Sequence, residues 1–147
     1  GPSATLRADA RRKGDGGKVI VWANDWTRFF GNVSARGGML GGNGGFAEVS
    51  GAITLDYLGR ADLRAPNGRM GDLLLDPKDI TIVAGADQVL ALDDILRTLG
   101  NPIEFLSQEL AATASIITDG TINAQLNTAN VRVKTGGGGA RLNEPLR

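Results

Sequence analysis

The chain contains no cysteine and no histidine, and each absence excludes chemistry. Without cysteine there is no disulfide, no thiol nucleophile and no thiolate metal ligand. Without histidine there is no Ser-His-Asp triad, no imidazole metal site and no ordinary near-neutral general base. Charge of one sign is also missing: 16 Lys and Arg face 16 Asp and Glu, a formal net charge of zero, so no global field favours nucleic acid or an anionic membrane. Long apolar runs are absent too. Stretches such as Val19 to Ala23 and Leu73 to Leu75 fall far short of the roughly 20 residues that cross a bilayer, so no membrane insertion is expected. The lack of cysteine leaves the compartment open, and any catalysis would fall to carboxylate, Lys, Ser or Thr.

What the chain has in excess is glycine, 22 of 147 residues, roughly twice the usual share. Its placement explains part of that excess. Gly16-Gly17-Lys18-Val19-Ile20-Val21-Trp22 aligns with Gly44-Gly45-Phe46-Ala47-Glu48-Val49-Ser50 at an offset of 28 residues. The same offset aligns Phe29-Phe30-Gly31-Asn32-Val33-Ser34-Ala35-Arg36 with Tyr57-Leu58-Gly59-Arg60-Ala61-Asp62-Leu63-Arg64. A partial third copy starts at Gly71, 26 residues after Gly45. Repeats of this length mark solenoids, propellers or arrays. Short alternating apolar runs punctuated by glycine indicate strands rather than helices, and residue types that recur at one offset favour stacked coils over a sandwich. A mainly β chain forming a parallel β-helix is the expected fold, with Phe29 over Tyr57, Val21 over Val49 and Val33 over Ala61.

Along the chain, residues 1–13 read as an expression scar, Gly1-Pro2-Ser3, followed by a flexible or capping arm. Its Arg7, Arg11, Arg12 and Lys13 fit an anion-binding arm or, more simply, a solvated chain end. Residues 14–83 are the β-helix coils. From 84 to 115 the pattern changes: Leu92, Ile95, Leu96 and Leu99 recur at helical spacing, and Asn101-Pro102-Ile103-Glu104 reads as an N-cap with a first-turn proline. Two helices, 88–99 and 102–112, are predicted there as a cap or insertion. Strand signals return over 116–135, in Ile116-Ile117, Thr121 to Ala124 and Val131 to Lys134, before a Gly-rich tail over 136–147.

Several motifs carry a resemblance. Gly14-Asp15-Gly16-Gly17-Lys18-Val19-Ile20-Val21-Trp22-Ala23, Phe30 to Gly38, Gly41 to Gly51, and Ala65-Pro66-Asn67-Gly68-Arg69 followed by Leu73 to Ile82 resemble the repeat region of filamentous-haemagglutinin-like exoproteins. The likeness runs over about residues 14–83; Thr121 to Gly139 matches a weaker family pattern. The resemblance implies a segment of a large Gram-negative surface or secreted protein, a right-handed parallel β-helix exported by a partner outer-membrane transporter, acting mainly as an adhesin. Its partners would be glycans or protein receptors on host or neighbouring cells. The Asn-Pro-Asn motifs of the family's secretion domain are missing, since only Ala65-Pro66-Asn67-Gly68 comes near, and this implies a segment downstream of that domain.

Nucleotide and metal motifs fail on the letters. Gly42 to Ala47 satisfies a loose dinucleotide pattern but precedes a strand, and Gly17-Lys18 lacks the first glycine and the Ser/Thr of a phosphate loop. In Gly41-Gly42-Asn43-Gly44-Gly45-Phe46, Phe46 stands where a calcium nonapeptide needs an aspartate. No cofactor, metal or nucleic-acid partner is therefore expected. Arg36 and Arg64, one repeat apart, form a candidate guanidinium ladder for acidic ligands, with Asp62 as the screening acid. Trp22 and Trp26 are candidate sugar platforms; Trp22 reads as exposed, while Trp26 fits exposed and buried positions equally. Asp76 with Asp79, or Asp93 with Asp94, are candidate acid pairs for a polysaccharide-active enzyme; Asp76-Pro77 reads more simply as a turn ending the strand Leu73 to Leu75. Asn32-Val33-Ser34 is a glycosylation sequon by its letters. The reading that follows is a non-enzymatic, adhesive stalk.

Overall fold

The computed structural model describes residues 1–87 and 115–136. The predicted helices at 88–99 and 102–112, the Asp93-Asp94 pair and the tail beyond 136 lie outside the described residues. The described residues are mainly β, built from parallel strands in small sheets. In chain order the elements are β1 (Thr5–Arg7), β2 (Lys18–Ala23), β3 (Trp26–Phe29), β4 (Asn32–Ser34), β5 (Phe46–Gly51), β6 (Thr54–Tyr57), β7 (Arg60–Asp62), β8 (Asp72–Pro77), β9 (Ile80–Val83), β10 (Ser115–Thr118), α1 (Asp119–Gln125) and β11 (Asn130–Val133).

Strands pair with their counterparts in the next copy. One sheet runs β2-β5-β8-β11, a second β1-β4-β7, a third β3-β6 and a fourth β9-β10. Lys18 lies opposite Phe46 and Ala23 opposite Gly51, which reproduces the 28-residue offset. Phe46 lies opposite Asp72, the 26-residue step into the third copy. The expected pairs Val21 with Val49, Phe29 with Tyr57 and Val33 with Ala61 are the pairs found. The Phe29 and Tyr57 rings are stacked at 5.8 Å between centroids and 12° between planes.

Alternation along each strand selects the core. Ala47 and Val49 of β5 and Leu73 and Leu75 of β8 point inward and are buried, joined by Leu55, Tyr57, Ala61 and Leu63. Each buried leucine contributes about 2 kcal/mol through lost apolar surface. Glycine is required where the chain turns between sheets: a Cβ on Gly45 would overlap the Gly17 carbonyl, and one on Gly71 would overlap that of Gly45. Gly41 and Gly42 take φ of 129° and 127°, conformations that side chains oppose.

Three expectations change. Thr121 to Ala124 is helical, not a strand: the Thr118 side chain accepts from the Thr121 backbone N–H at 3.2 Å, and this cap overrides a run whose letters read as β. Asp76 and Pro77 belong to β8 itself; Pro77 closes the strand, where its missing N–H removes least from the ladder. The N-terminal arm contains a strand, with Thr5 opposite Asn32 and the Ala8 and Ala10 amides donating to the Ser34 and Arg36 carbonyls at 2.7 and 2.9 Å.

The upper side of β7 is closed by a side chain. Gln125 Oε1 accepts from the Ala61 N–H and from the Tyr57 hydroxyl, each at 3.0 Å. Its Nε2 donates to the Ala61 carbonyl and to Thr128 Oγ1. A side-chain amide thus stands in for the peptide group of a neighbouring strand. Burial pushes the Tyr57 hydroxyl far up from its ordinary pKa, so it stays protonated and keeps donating.

Candidate functional site

The alternation that buries Val49 and Leu75 sends the intervening side chains outward from the four-stranded sheet. Three rows result from the register: Lys18, Phe46, Asp72 and Asn130; Ile20, Glu48, Leu74 and Arg132; and Trp22, Ser50 and Asp76. Lys134 follows β11 beside the last row, its amide donating to the Leu75 carbonyl at 2.9 Å. Trp22 and Asp76 are two strand spacings apart, roughly 10 Å. Ile20 and Trp22 are 54% and 56% exposed, so an apolar and aromatic surface borders the carboxylates.

Glu48 and Asp76 are diagonal neighbours across β5 and β8. Glu48 Oε1 accepts from the Ser50 hydroxyl at 2.8 Å. Partial burial, followed by the charge of Glu48, raises the Asp76 carboxyl above its ordinary range, while Lys134 opposes the rise. Asp79 lies exposed in the bend after β8. The carboxylate that meets Asp76 is therefore Glu48 rather than Asp79. At the N-terminal end of the same face, the Lys18 ammonium sits over the Phe46 ring at 5.2 Å, a cation–π contact.

The arginine column lies on another face. Asp62 Oδ1 and Oδ2 accept from Arg64 Nε and Nη2 at 2.8 and 2.7 Å, a bidentate pair. Arg36 Nε lies 3.7 Å from Asp62, and its backbone N–H donates to Asp9 Oδ1 at 2.8 Å. The hydrogen bonds from Arg64 hold the Asp62 carboxyl below its usual range. The two arginines thus share Asp62 between them, and the Arg64 guanidinium is already occupied. Trp26 is 37% exposed, and the Arg28 guanidinium lies over its ring at 5.7 Å, next to the 3.2 Å ion pair of Arg28 with Asp56.

The structure therefore brings Trp22 and Asp76 into one row and leaves Trp26, Arg36 and Arg64 elsewhere. Glu48 and Ser50 are the members that sequence reasoning missed. The signal was present, because the 28-residue alignment puts Ser50 beside Trp22, and the 26-residue step puts Asp76 beside Ser50. Asn32 is exposed, and its side-chain Nδ2 donates to the Pro2 carbonyl at 3.4 Å. Among the described residues no helix is long and apolar enough to cross a membrane, and no three acidic side chains cluster in a way that could hold a metal ion. No protein-family model matches the chain, and no curated protein matches it.

Proposed function

We propose that the chain is a segment of a right-handed parallel β-helix from a filamentous-haemagglutinin-like surface or secreted protein. In this reading the segment is a non-enzymatic rigid stalk whose outward side chains contact a glycan or protein receptor on another cell. The carrying observation is the in-register pairing of β2, β5 and β8, which matches the repeat in the sequence and leaves Ile20 and Trp22 exposed on the sheet's outer face. A stack held by backbone ladders and an apolar interior keeps its shape without disulfides or nucleotide energy, which suits an extracellular stalk. The full-length protein would reach the cell exterior through a partner outer-membrane transporter.

The adhesive surface is assigned to the Trp22 face rather than to the arginine column, because Asp62 already engages Arg64. Binding of the labelled chain to a glycan and extracellular-matrix array, with intact cells in parallel, tests the reading. A saturable hit weakened about tenfold by Trp22→Ala, as expected for a lost aromatic contact, supports it. No binding at any salt concentration removes the adhesive part and leaves a spacer.

The Glu48 and Asp76 pair supports a second reading, a polysaccharide-active enzyme in which the raised Asp76 acts as acid and Glu48 as the second acidic group. Release of reducing ends from a polysaccharide, abolished by Asp76→Asn and by Glu48→Gln, would replace the non-enzymatic reading.

A further inference from the structure

The zero net charge conceals a strong local separation at the corner where the chain turns between sheets. Three successive turns stack there, covering residues 11–15, 38–43 and 65–70. The Leu40 amide donates to the Arg12 carbonyl at 2.7 Å. Asn67 Nδ2 donates to the Met39 carbonyl at 2.7 Å, and the Arg69 amide donates to Asn43 Oδ1 at 3.0 Å. These bonds fix the three turns in one column.

The side chains that the column presents are of two kinds. Met39 and Leu40 are 63% and 65% exposed, the two highest values among the exposed large hydrophobic residues of the described chain. Arg11, Arg12 and Lys13 lie on the turn stacked to one side and Arg69 on the turn to the other, all exposed, and none makes an ion pair with a described residue. Two acids lie near. Asp15 Oδ1 accepts from the Asn43 backbone N–H at 2.7 Å, and Asp72 faces Arg132 at 3.5 Å. The turn is fixed by backbone bonds and by Gly41 and Gly42 at positive φ, so the apolar pair is held outward in one orientation.

We propose that this corner is a peripheral docking surface for an anionic lipid bilayer. Four cations with no ion pair among the described residues match a layer of lipid phosphates by charge, and a projecting Met-Leu pair reaches the acyl boundary that a soluble polyanion lacks. The contact would be superficial, with the β framework outside the bilayer. The proposal does not depend on the adhesin reading, since it uses another face and another ligand, and Trp22→Ala leaves it untouched.

The test is co-sedimentation of the full chain with vesicles of phosphatidylcholine alone and of phosphatidylcholine mixed with phosphatidylglycerol, from low to physiological salt. Binding is expected only to the anionic vesicles, weakening as salt rises. Arg12→Ala with Lys13→Ala should weaken it about thirtyfold, and Met39→Ser with Leu40→Ser should remove the part that survives physiological salt. The substituted side chains are exposed, so an unchanged circular dichroism spectrum is expected for both variants; if the charge variant loses it, Arg69→Ala takes its place, with about a fivefold loss expected. Equal binding to both vesicle types, no binding to either, or insensitivity to the cation substitutions would overturn the proposal. So would binding that ignores Met39→Ser with Leu40→Ser and is matched by a soluble sulfated polysaccharide, which would make the corner a site for acidic glycans.

Discussion

The consecutive strands β7 and β8 are closed on their upper sides in different ways. β8 is covered by another strand: Asn130 to Val133 of β11 lie opposite Asp72 to Leu75, and the Asn130 and Lys134 amides donate to the Gly71 and Leu75 carbonyls, each at 2.9 Å. Among the described residues β7 has no strand above it in its sheet; it is covered by the Gln125 amide, with the Leu63 amide donating to the Thr128 carbonyl at 2.8 Å. A strand's cover is made by main chain and accepts many side chains. A side-chain cover depends on particular residues, here Gln125 and Thr128, whose Oγ1 also donates to the Ala61 carbonyl at 2.8 Å.

The largest effect should therefore come from Gln125. Gln125→Ala leaves the Ala61 N–H and the Tyr57 hydroxyl without their acceptor in an interior where Gln125 is 1% exposed. Two unsatisfied buried groups and a small cavity cost about 3 kcal/mol, read as a lower urea midpoint. Gln125→Glu keeps an acceptor but sets a carboxyl against the Ala61 carbonyl in the same buried site; burying its charge makes the expected cost at neutral pH at least that of the alanine variant, about 3 kcal/mol or more. A cost near zero for both would mean that the amide does not close β7.

On the strand-covered side, Val131→Ala should cost less, about 1 kcal/mol. Val131 is only partly buried against the core, and its contribution to the ladder is main-chain. If Val131→Ala proves as damaging as Gln125→Ala, the distinction between the two kinds of cover fails.

This contrast also separates what is legible in the letters from what is not. Backbone ladders repeat, so they leave a repeating trace. Gly16-Gly17 against Gly44-Gly45, and Phe29 against Tyr57, disclose both the register and the pairing partners through a single offset. Gln125 is used once and belongs to no repeat; its helix is hidden because Thr121 and Ile122 look β-prone, while the deciding features are the Thr118 cap and a contact 64 residues away with Ala61. The candidate site divides similarly. Trp22 and Asp76 stand out as an aromatic and an acid, but Glu48 joins them only through the diagonal between two paired strands. The clustering of Arg11, Arg12, Lys13 and Arg69 is invisible in a net charge of zero, because it depends on three turns stacking at one corner.

The smallest effects should sharpen the comparison through the outward acids of the two strands, Asp62 on β7 and Asp76 on β8, whose carboxyls shift in opposite directions. Asp62 is held low by hydrogen bonds from Arg64; its contribution is present above the ordinary carboxylate pKa and is lost as pH falls through its depressed value. Asp76 is held high by partial burial and by Glu48; its contribution is fully present below the ordinary pKa and is lost as pH rises through its elevated value. Toward neutral pH Asp62→Asn should destabilise by about 0.5 kcal/mol and Asp76→Asn should stabilise by about 0.3 kcal/mol, solvent screening keeping both small. At pH low enough to protonate both carboxyls the two variants should converge on the parent protein, Asp62→Asn last because the Asp62 carboxyl is held low. Urea midpoints measured across that range check the signs, and a stabilising Asp62→Asn or a destabilising Asp76→Asn at neutral pH would reverse the assignment of which strand carries the satisfied acid and which the strained one.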